Sequence, residues 1–298
     1  MILVFGSLNA DYVFSVPRLP KPGETLSASE MVVLPGGKGA NQALAARRAG
    51  AQVAMIGAVG DDSSAEVSLS GLRAAGVDLS GVKVSSAATG IASINLDPAG
   101  ENAITVFAGA NADVSADQVT LDMIGPETVL VFQMEVPANE IYQLTLRAAD
   151  AGAKSVLNLA PAQPIELDAL NRIDFLIVNA GELSMLMSLL GRPAASQVDE
   201  MLVTAGRFTG GSVIVTLGPD GARSYHQGEI SSTPSPTIDV VDTVGAGDAF
   251  VGVFAAAIEQ NLSFNDAVRR GCVAGALACQ KIGAQSSLPD AAAIEAML

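Results

Sequence analysis

Short, uninterrupted apolar runs alternate with longer stretches of helical character along most of this chain. The apolar runs predict strands that a sheet buries on both faces, at residues 2–5, 53–57, 129–133, 155–159, 175–178 and 212–217. Helices are predicted at residues 39–49, 64–75, 138–151, 182–190, 197–208, 246–260, 263–281 and 290–297. This order of elements predicts an α/β fold, a doubly wound and mostly parallel sheet flanked by helices.

Two segments, residues 11–34 and 91–106, break that alternation. Each carries short apolar runs around a turn, and the second alternates apolar and polar residues on both sides of Asp97-Pro98-Ala99-Gly100. We therefore expect a small second β-sheet, a lid inserted into a single domain that spans residues 1–298. No predicted helix is left to cover one of its faces, so that face should cover a ligand or a second subunit.

The charge balance narrows the classes of partner. The chain has 298 residues with 16 basic and 31 acidic side chains, a net charge of −15. Such a surface repels nucleic-acid phosphates and anionic lipid. The apolar stretch from Ala249 to Ile258 is too short to span a membrane, and the N-terminus lacks the basic start of a signal peptide. We expect neither nucleic acid nor a membrane as a partner.

The cysteines and the one histidine also limit the chemistry. Cys272 and Cys279 are seven residues apart in a predicted helix, a rise of about 10 Å that is too long for a disulfide. With one histidine, His226, a zinc site is not expected, and His226 is predicted to be an exposed strand residue. Reduced cysteines favour a cytoplasmic location.

A glycine-rich segment, Pro35-Gly36-Gly37-Lys38-Gly39-Ala40-Asn41-Gln42, stands between a predicted strand and a helix. Adjacent glycines let a backbone approach a ligand closely, and the helix start directs N–H groups at it. The spacing matches neither the P-loop nor the dinucleotide-binding pattern. A tight turn alone would not require this combination, so we interpret the segment as part of a binding site.

Asn9-Ala10-Asp11 follows the first predicted strand. Ligands of open parallel sheets bind beyond the carboxyl ends of strands, where these two side chains could hold vicinal hydroxyls. Asn and Asp are also common turn residues, so this motif alone is a weak signal.

The motif that points most directly to chemistry is Asp242-Thr243-Val244-Gly245-Ala246-Gly247-Asp248. Its small residues lead into an apolar helix, where free N–H groups and the helix dipole form an anion hole. Asp248 lies in the first helical turn. It could be only a helix cap, but a carboxylate beside an anion hole is what phosphoryl transfer to an alcohol requires.

Two further segments favour a nucleotide site. Asn179 and Glu182 stand three apart at a predicted helix start, where they could orient hydrated Mg²⁺ or form an ordinary capping box. Residues 216–221 end another strand in a glycine-rich turn, which by itself indicates only a hairpin.

Taken in order, these motifs resemble the PfkB family of carbohydrate kinases, and within it the ribokinase group. The resemblance covers essentially the whole chain. It includes P-G-E-T at residues 22–25, G-G-K-G-A-N-Q-A at 36–43, G-E-N-A-I at 100–104, G-A-N at 109–111, T-L-G-x-x-G at 216–221, D-T-V-G-A-G-D at 242–248 and G-A-Q-x-S at 283–287.

The resemblance implies ATP-dependent phosphorylation of the 5-hydroxyl of D-ribose, often by a homodimer formed through the lid. It implies that Asp248 is the catalytic base and that Gly245, Ala246 and Gly247 form the anion hole. The residues that it places at the sugar are Asn9, Asp11, Gly36, Gly37, Lys38, Asn41, Glu135 and Asp248.

For the nucleotide, the resemblance implies contacts from Asn179, Thr216, Leu217, Gly218, Pro219, Asp220, Gly221 and Gly247. Glu182 would organise Mg²⁺ through water. A K⁺ ion that activates the enzyme would be held by Asp242, Val244, Ala278, Lys281, Gly283 and Ser287, several of them through carbonyls.

Three alternative functions make different demands on the sequence. A kinase of the same family could act on another sugar or on a nucleoside, since Asn9, Asp11 and Asn41 can hold any vicinal diol. A binding protein on the same fold would have no need of Asp248 beside an anion hole. A dehydrogenase would need the dinucleotide-binding pattern, which the chain lacks.

Overall fold

The computed structural model describes residues 1–192 and 197–298. Its strands are β1 Ile2–Phe5, β2 Asn9–Ser15, β3 Glu30–Gly36, β4 Val53–Gly60, β5 Asp78–Ser85, β6 Gly90–Leu96, β7 Asn102–Phe107, β8 Val129–Gln133, β9 Lys154–Asn158, β10 Phe175–Asn179, β11 Ser212–Thr216, β12 Ala222–His226 and β13 Glu229–Thr233. Its α-helices are α1 Lys38–Arg48, α2 Ser63–Ala75, α3 Ala138–Asp150, α4 Leu167–Leu170, α5 Ala180–Leu189, α6 Val198–Phe208, α7 Ala246–Glu259, α8 Phe264–Ala278, α9 Ala284–Ser287 and α10 Ala291–Met297.

Nine strands form the large sheet, in the order β13-β12-β11-β10-β9-β8-β1-β4-β5. All neighbouring strands from β11 to β5 are parallel, and β12 and β13 add an antiparallel edge. Alternate residues of the central strands enter two separate apolar cores. Ile2 and Val4 lie in the core with α1, α7 and α8, whereas Leu3 and Phe5 lie in the core with α3, α5 and α6. The continuous apolar runs of the sequence are explained by this burial on both faces.

Four strands form the small sheet, in the order β3-β2-β6-β7. The pairing register puts Leu34, Asp11, Ala92 and Val106 in one row across the sheet, so these side chains share a face. Tyr12 points to the opposite face, where its hydroxyl lies 3.0 Å from Ser64 Oγ of α2. One face of the small sheet is therefore covered partly by α2, and the other carries Asp11.

The predicted α/β class, the mostly parallel sheet and the small second sheet are confirmed. The predicted strands at residues 2–5 and 129–133 match β1 and β8 at both ends, and most other predicted ends lie within two residues of the observed ones. The sequence pattern does not predict strand β5, because it lies at the sheet edge and its polar residues interrupt the apolar run. In the part of the chain that the structure describes, no helix has the length and apolar character needed to cross a membrane.

Candidate active site

The candidate site lies beyond the carboxyl ends of the central strands. Strand β1 lies between β8 and β4 in the large sheet, and the chain leaves its carboxyl end to enter the small sheet at β2. The connections on the two sides of β1 diverge and leave a crevice at its carboxyl end. Open α/β sheets bind ligands in crevices of this kind. The N-termini of α1 and α7 open into the same region, because Asn41 of α1 contacts Asp248 of α7.

The start of α7 leaves backbone amides free. Gly245 precedes the helix in a left-handed conformation with φ of 80°, which favours glycine. A β-carbon there would lie 2.9 Å from the Cα of Ala284, so the loop also needs a residue without a side chain. Among the described residues, the N–H groups of Gly247 and Asp248 have no protein acceptor. Free N–H groups at a helix start can hold an anion, so these two amides form a candidate anion hole. The predicted set differs at Ala246, whose N–H donates to the carbonyl of Thr243 at 3.3 Å.

Asp248 is 6% exposed, and three side chains of α1 approach its carboxylate. Asn41 Nδ2 donates to Oδ2 at 2.9 Å, and Gln42 Nε2 donates to Oδ1 at 3.0 Å. Lys38 Nζ lies 3.9 Å from Oδ1. A helix cap would use its own helix's amides, whereas this carboxylate is held by another helix. The helix-cap interpretation therefore does not account for the contacts of Asp248.

Lys38 is the cation of the site. Its pKa is raised, chiefly by the charge of Asp248 and further by Glu135 and Glu182. Its own backbone N–H donates to Glu135 Oε2 at 3.0 Å, and Ser7 Oγ donates to the same oxygen at 2.6 Å. Glu135 therefore fixes the start of α1 and contributes negative charge near Lys38.

Asp11 faces the site from the small sheet. Its Oδ1 is buried and has no hydrogen-bond partner among the residues that the structure describes. Burial, followed by the charges of Glu135 and Asp248, raises the pKa of Asp11 to about 7. Gly36 makes room for it, since a β-carbon there would lie 2.1 Å from Asp11 Oδ2. A buried acceptor without a partner is a candidate ligand contact.

Asn9 is held by Asn111, a residue that sequence analysis does not assign to the site. Asn111 Nδ2 donates to Asn9 Oδ1 at 2.8 Å, while Asn111 Oδ1 accepts from the Leu8 amide at 2.9 Å. Because the oxygen of Asn9 already accepts this bond, its NH₂ group is the part left for a ligand. A β-carbon at Gly90 would lie 2.4 Å from Asn9 Oδ1, so the arrangement also depends on that glycine.

Asn179 and Glu182 form the capping box of α5. Asn179 Oδ1 accepts from the Glu182 amide at 2.8 Å, and Glu182 Oε2 accepts from the Asn179 amide at 2.8 Å. The capping box, one of the two interpretations of this pair, is therefore formed. Glu182 Oε1 has no hydrogen-bond partner among the described residues. The pKa of Glu182 is raised overall, chiefly by burial and also by the charge of Asp248, although the amide of Asn179 and the charge of Lys38 act to lower it. Glu182 therefore lies within electrostatic range of Lys38.

A cavity of about 490 Å³ extends from this region along α8. Six of the residues predicted to contact a nucleotide line it, namely Asn179, Thr216, Gly218, Pro219, Gly221 and Gly247. Leu217 packs instead against the core, and Asp220 is exposed outside the lining. The sequence gives no indication of the part of the lining along α7 and α8, which includes Phe250, Gly275 and the two cysteines, Cys272 and Cys279. Small apolar residues on a helix give no separate sequence signal for a ligand.

The two segments predicted to hold a monovalent cation meet where the loop before α7 contacts the loop before α9. Asp242 Oδ1 accepts from the Val244 amide at 3.0 Å, and Oδ2 accepts from the Gly283 amide at 2.8 Å. Asp242 therefore joins the loop before α7 to the loop before α9. No lysine or arginine forms an ion pair with Asp242 within residues 1–192 and 197–298. Ser287 is buried in α9, where its hydroxyl donates to the carbonyl of Ala284.

Comparison with known proteins gives a consistent result. The family model described as "pfkB family carbohydrate kinase" matches residues 1–291. The ribokinase of Haemophilus influenzae is 36% identical over 293 residues, which are 97% of this chain and 95% of that protein.

Two solved structures are similar over nearly their whole length. The ribokinase of Thermotoga maritima has a TM-score of 0.91 and 32% identity, covering 100% of this chain and 98% of that one. The Arabidopsis thaliana ribokinase, solved in complex with ribose and ATP, has a TM-score of 0.89 and 32% identity, covering 99% and 97%. The carboxylate of Asp248 beside free amides and the neighbouring cavity agree with these full-length similarities. The chain therefore belongs to the pfkB family of carbohydrate kinases.

Proposed function

We propose that the protein transfers the γ-phosphoryl group of ATP to the 5-hydroxyl of D-ribose, giving D-ribose 5-phosphate and ADP. The observation that carries this proposal is the position of Asp248. Its buried carboxylate lies at the helix N-terminus where the Gly247 and Asp248 amides have no acceptor in the described part of the chain, and Lys38 lies 3.9 Å away. The ribokinases of similar length and fold support ribose as the acceptor.

The sugar is proposed to bind between the small sheet and α1. The Asp11 carboxylate, whose Oδ1 has no partner within residues 1–192 and 197–298, accepts hydrogen bonds from sugar hydroxyls, and the NH₂ group of Asn9 donates to a sugar oxygen. Gly36 and Gly37 let the backbone approach the sugar, and Asn41 and Glu135 complete the contacts. Together these groups place the 5-hydroxyl at Asp248.

Asp248 then accepts the proton of that hydroxyl while the hydroxyl oxygen attacks the γ-phosphorus. The bond between the γ-phosphorus and the β–γ bridging oxygen breaks, and ADP leaves with that oxygen. The free amides at the start of α7 stabilise the charge on the transferred phosphoryl group, because they are oriented before the reaction begins. The Lys38 ammonium neutralises further negative charge. Its pKa is raised by Asp248 above all, so it stays protonated throughout the physiological range.

We further propose that the 490 Å³ cavity holds the nucleotide, with its adenine against α8 and its phosphates directed at Gly247. The near wall is formed by Asn179 and by four residues of the turn, Thr216, Gly218, Pro219 and Gly221. A net charge of −15 does not prevent ATP binding, because the phosphates meet local amides and Lys38.

Two cations fit the residues that are present. Mg²⁺ usually keeps several waters and binds carboxylates and substrate phosphates, and Glu182 Oε1 is a carboxylate oxygen free for such a role. K⁺ is proposed beside Asp242, whose carboxylate has no basic partner among the described residues. The oxygens proposed to hold it come from Asp242, Val244, Ala278, Lys281, Gly283 and Ser287. Carbonyl and carboxylate oxygens are the ligands such an ion takes. Bound there, K⁺ would fix the loop that carries the anion hole.

We propose that two copies associate through the uncovered face of the small sheet and that each chain is a single kinase domain. The face that carries Asp11 also exposes Val32, Leu34, Leu96, Ile104 and Val106. Contiguous apolar surface of this kind usually marks an interface. A cytoplasmic location is proposed on the two free thiols.

A substrate panel tests the proposal against other acceptors of the same family. ATP consumption is measured with pentoses, hexoses and nucleosides at several concentrations. We expect ribose to give the highest kcat/KM, because the groups between Asn9 and Asn41 are small and polar, as a pentose requires. A clearly higher kcat/KM for fructose, a sugar phosphate or adenosine would overturn ribose as the substrate. Ribose binding without ATP turnover would instead indicate a binding protein.

A further inference from the structure

Gln42 is a fully buried polar residue that touches the proposed catalytic base. Its side chain has 0% exposure, although it belongs to a helix whose neighbouring residues are mostly alanine. Its NH₂ group donates to Asp248 Oδ1 at 3.0 Å and to Asn158 Oδ1 at 3.1 Å. Burial of an amide in such a place costs free energy unless its hydrogen bonds are made.

The oxygen of Gln42 is satisfied as well. Gln133 Nε2, at the end of β8, donates to Gln42 Oε1 at 2.8 Å. Gln133 also has 0% exposure, and a β-carbon at Gly6 would lie 1.9 Å from its Oε1, so Gly6 makes space for it. Asn158, at the end of β9, donates from Nδ2 to the carbonyl of Ile177 at 3.2 Å. The network thus joins α7 to three neighbouring strands of the large sheet.

We propose that Gln42 is a positioning residue, which orients the Asp248 carboxylate toward the acceptor hydroxyl. Both N–H bonds and the oxygen of Gln42 are committed to protein partners, so no group of its amide is left for a substrate. Its effect on the reaction must therefore pass through Asp248. This inference rests on the proposed function, since it assigns Gln42 a part in the same proton transfer.

The geometry of the carboxylate supports this role. Asn41 donates to Oδ2, and the next residue of α1, Gln42, donates to Oδ1. Two donors on different oxygens fix the plane of the carboxylate. Asn41 is one of the proposed sugar contacts, and its Oδ1 is buried without a partner among the described residues, whereas Gln42 is bonded to side chains at the ends of β8 and β9. The rigid part of the support therefore comes from Gln42.

The first test replaces Gln42 by methionine, which keeps the length of the side chain and removes both donors and the acceptor. We expect kcat to fall about 10- to 100-fold, the loss typical of a misplaced reacting group. The KM values for sugar and ATP should stay within about twofold, because Gln42 does not face either substrate. Gln118→Met is the matched control, since Gln118 likewise bridges two strands by donating to the carbonyls of Gly57 and Gly81. The control should lose thermal stability with kcat unchanged.

A second variant, Gln42→Glu, gives a readout that lost stability would not produce. When protonated, the introduced carboxyl can donate to Asp248, and when ionised it repels Asp248. The other charged groups around Asp248 are Lys38, Asp11, Glu135 and Glu182, and they are the same in both proteins. We therefore expect the ratio of variant to wild-type kcat to fall as the pH rises from about 6 to about 8.

If Gln42→Met does not fold, Gln133→Met serves instead, because it releases the oxygen of Gln42 without touching Asp248. It should lower kcat in the same direction and by less. The inference is overturned if these variants keep wild-type kcat, if only KM changes, or if the ratio for Gln42→Glu is flat across the pH range. All rates are measured with whichever acceptor the wild type prefers. A wild type that prefers another sugar therefore contradicts only the proposed substrate, and leaves the result for Gln42 readable.

Discussion

At the scale of single residues, the site concentrates negative charge around one lysine. Asp248, Glu135 and Glu182 each raise the pKa of Lys38, and Glu135 and Asp248 also raise the pKa of Asp11. Such clustering costs free energy in the unliganded protein, because like charges are held together in a partly buried place. The binding of a polyhydroxylated sugar supplies donors that offset part of this cost.

The pH dependence of stability that arises from Asp11 makes this free-energy cost measurable. Its pKa is about 7 in the folded protein against an ordinary value of 3.8, so the folded state binds more protons than the unfolded state between these values. The contribution of Asp11 to stability is therefore present at low pH and is lost as the pH rises toward and through 7. We expect Asp11→Asn to remove this decline, so that the variant gains stability relative to wild type at pH 8 more than at pH 5.

Thermal unfolding of wild type and Asp11→Asn across this pH range, without sugar, is the measurement. Asp97→Asn is the control, because Asp97 is an acidic residue in the exposed turn between β6 and β7. A difference between wild type and Asp11→Asn that does not change with pH would contradict the raised pKa. The same substitution should raise the KM for ribose, since an amide accepts fewer hydrogen bonds than a carboxylate.

A group of residues can be located from the sequence when all of its parts are adjacent in the chain. Gly245, Gly247 and Asp248 form one recognisable unit of loop, helix start and carboxylate, and that unit is local in the chain. Gln42 and Asn111 cannot be assigned in this way, because their roles depend on partners more than 90 residues away. A glutamine or asparagine in an otherwise apolar or small-residue context gives no indication of which distant group it contacts.

At the scale of elements, the anion hole depends on two loops that contact each other. Gly245 lies against Ala284, and Asp242 binds the amide of Gly283. The orientation of the α7 amides is therefore linked to the loop before α9, which follows the end of α8. A cation beside Asp242 would act on catalysis through this contact alone, without touching the substrates.

We accordingly expect turnover to rise with added K⁺ and to rise much less with Na⁺ at equal ionic strength. Asp242→Ala should abolish the difference between the two salts, because it removes the one carboxylate of the proposed cage. Asp220→Ala is a suitable control, since Asp220 is exposed and outside the cavity lining. Steady-state rates in matched chloride salts are the measurement. Equal rates of the wild type in both salts would mean that Asp242 only caps the loop through Val244 and Gly283.

Elements buried on both faces are the most predictable part of the fold. Strands β1 and β8 have no exposed residue, and their continuous apolar sequence identifies them directly. Strands β5 and β13 lie at the two edges of the large sheet, where part of each strand faces solvent. Because these strands face solvent in part, their sequences contain polar residues. They therefore lack the continuous apolar run that identifies a buried strand.

At the scale of the whole molecule, the small sheet carries apolar side chains on a face that is exposed to solvent. Val32, Val13, Ile94 and Ile104 form one row across it, next to the row that contains Asp11. Val32 and Ile104 are 41% and 53% exposed. Apolar side chains that continue outward from a sugar site can cover the sugar and meet a second subunit on the same face.

Sedimentation at micromolar concentration should therefore show a dimer. Ile104→Glu is expected to shift it toward monomer, because a charge in an apolar interface loses its hydration without gaining a partner. Leu121→Glu is the control, since Leu121 is 70% exposed on a short turn outside the small sheet. A monomeric wild type, or an Ile104→Glu variant that dimerises as well as wild type, would contradict the proposed interface.

The central claim is that this chain phosphorylates ribose with Asp248 as the base. The most direct measurement follows a mixture of ATP, Mg²⁺ and ribose by phosphorus NMR, with wild type and Asp248→Asn side by side. We predict one ribose 5-phosphate for each ADP with wild type, and a rate about 10²- to 10⁴-fold lower with Asp248→Asn, while ribose binding persists. Phosphate on another hydroxyl, ADP with inorganic phosphate alone, or near wild-type turnover by Asp248→Asn would contradict the account.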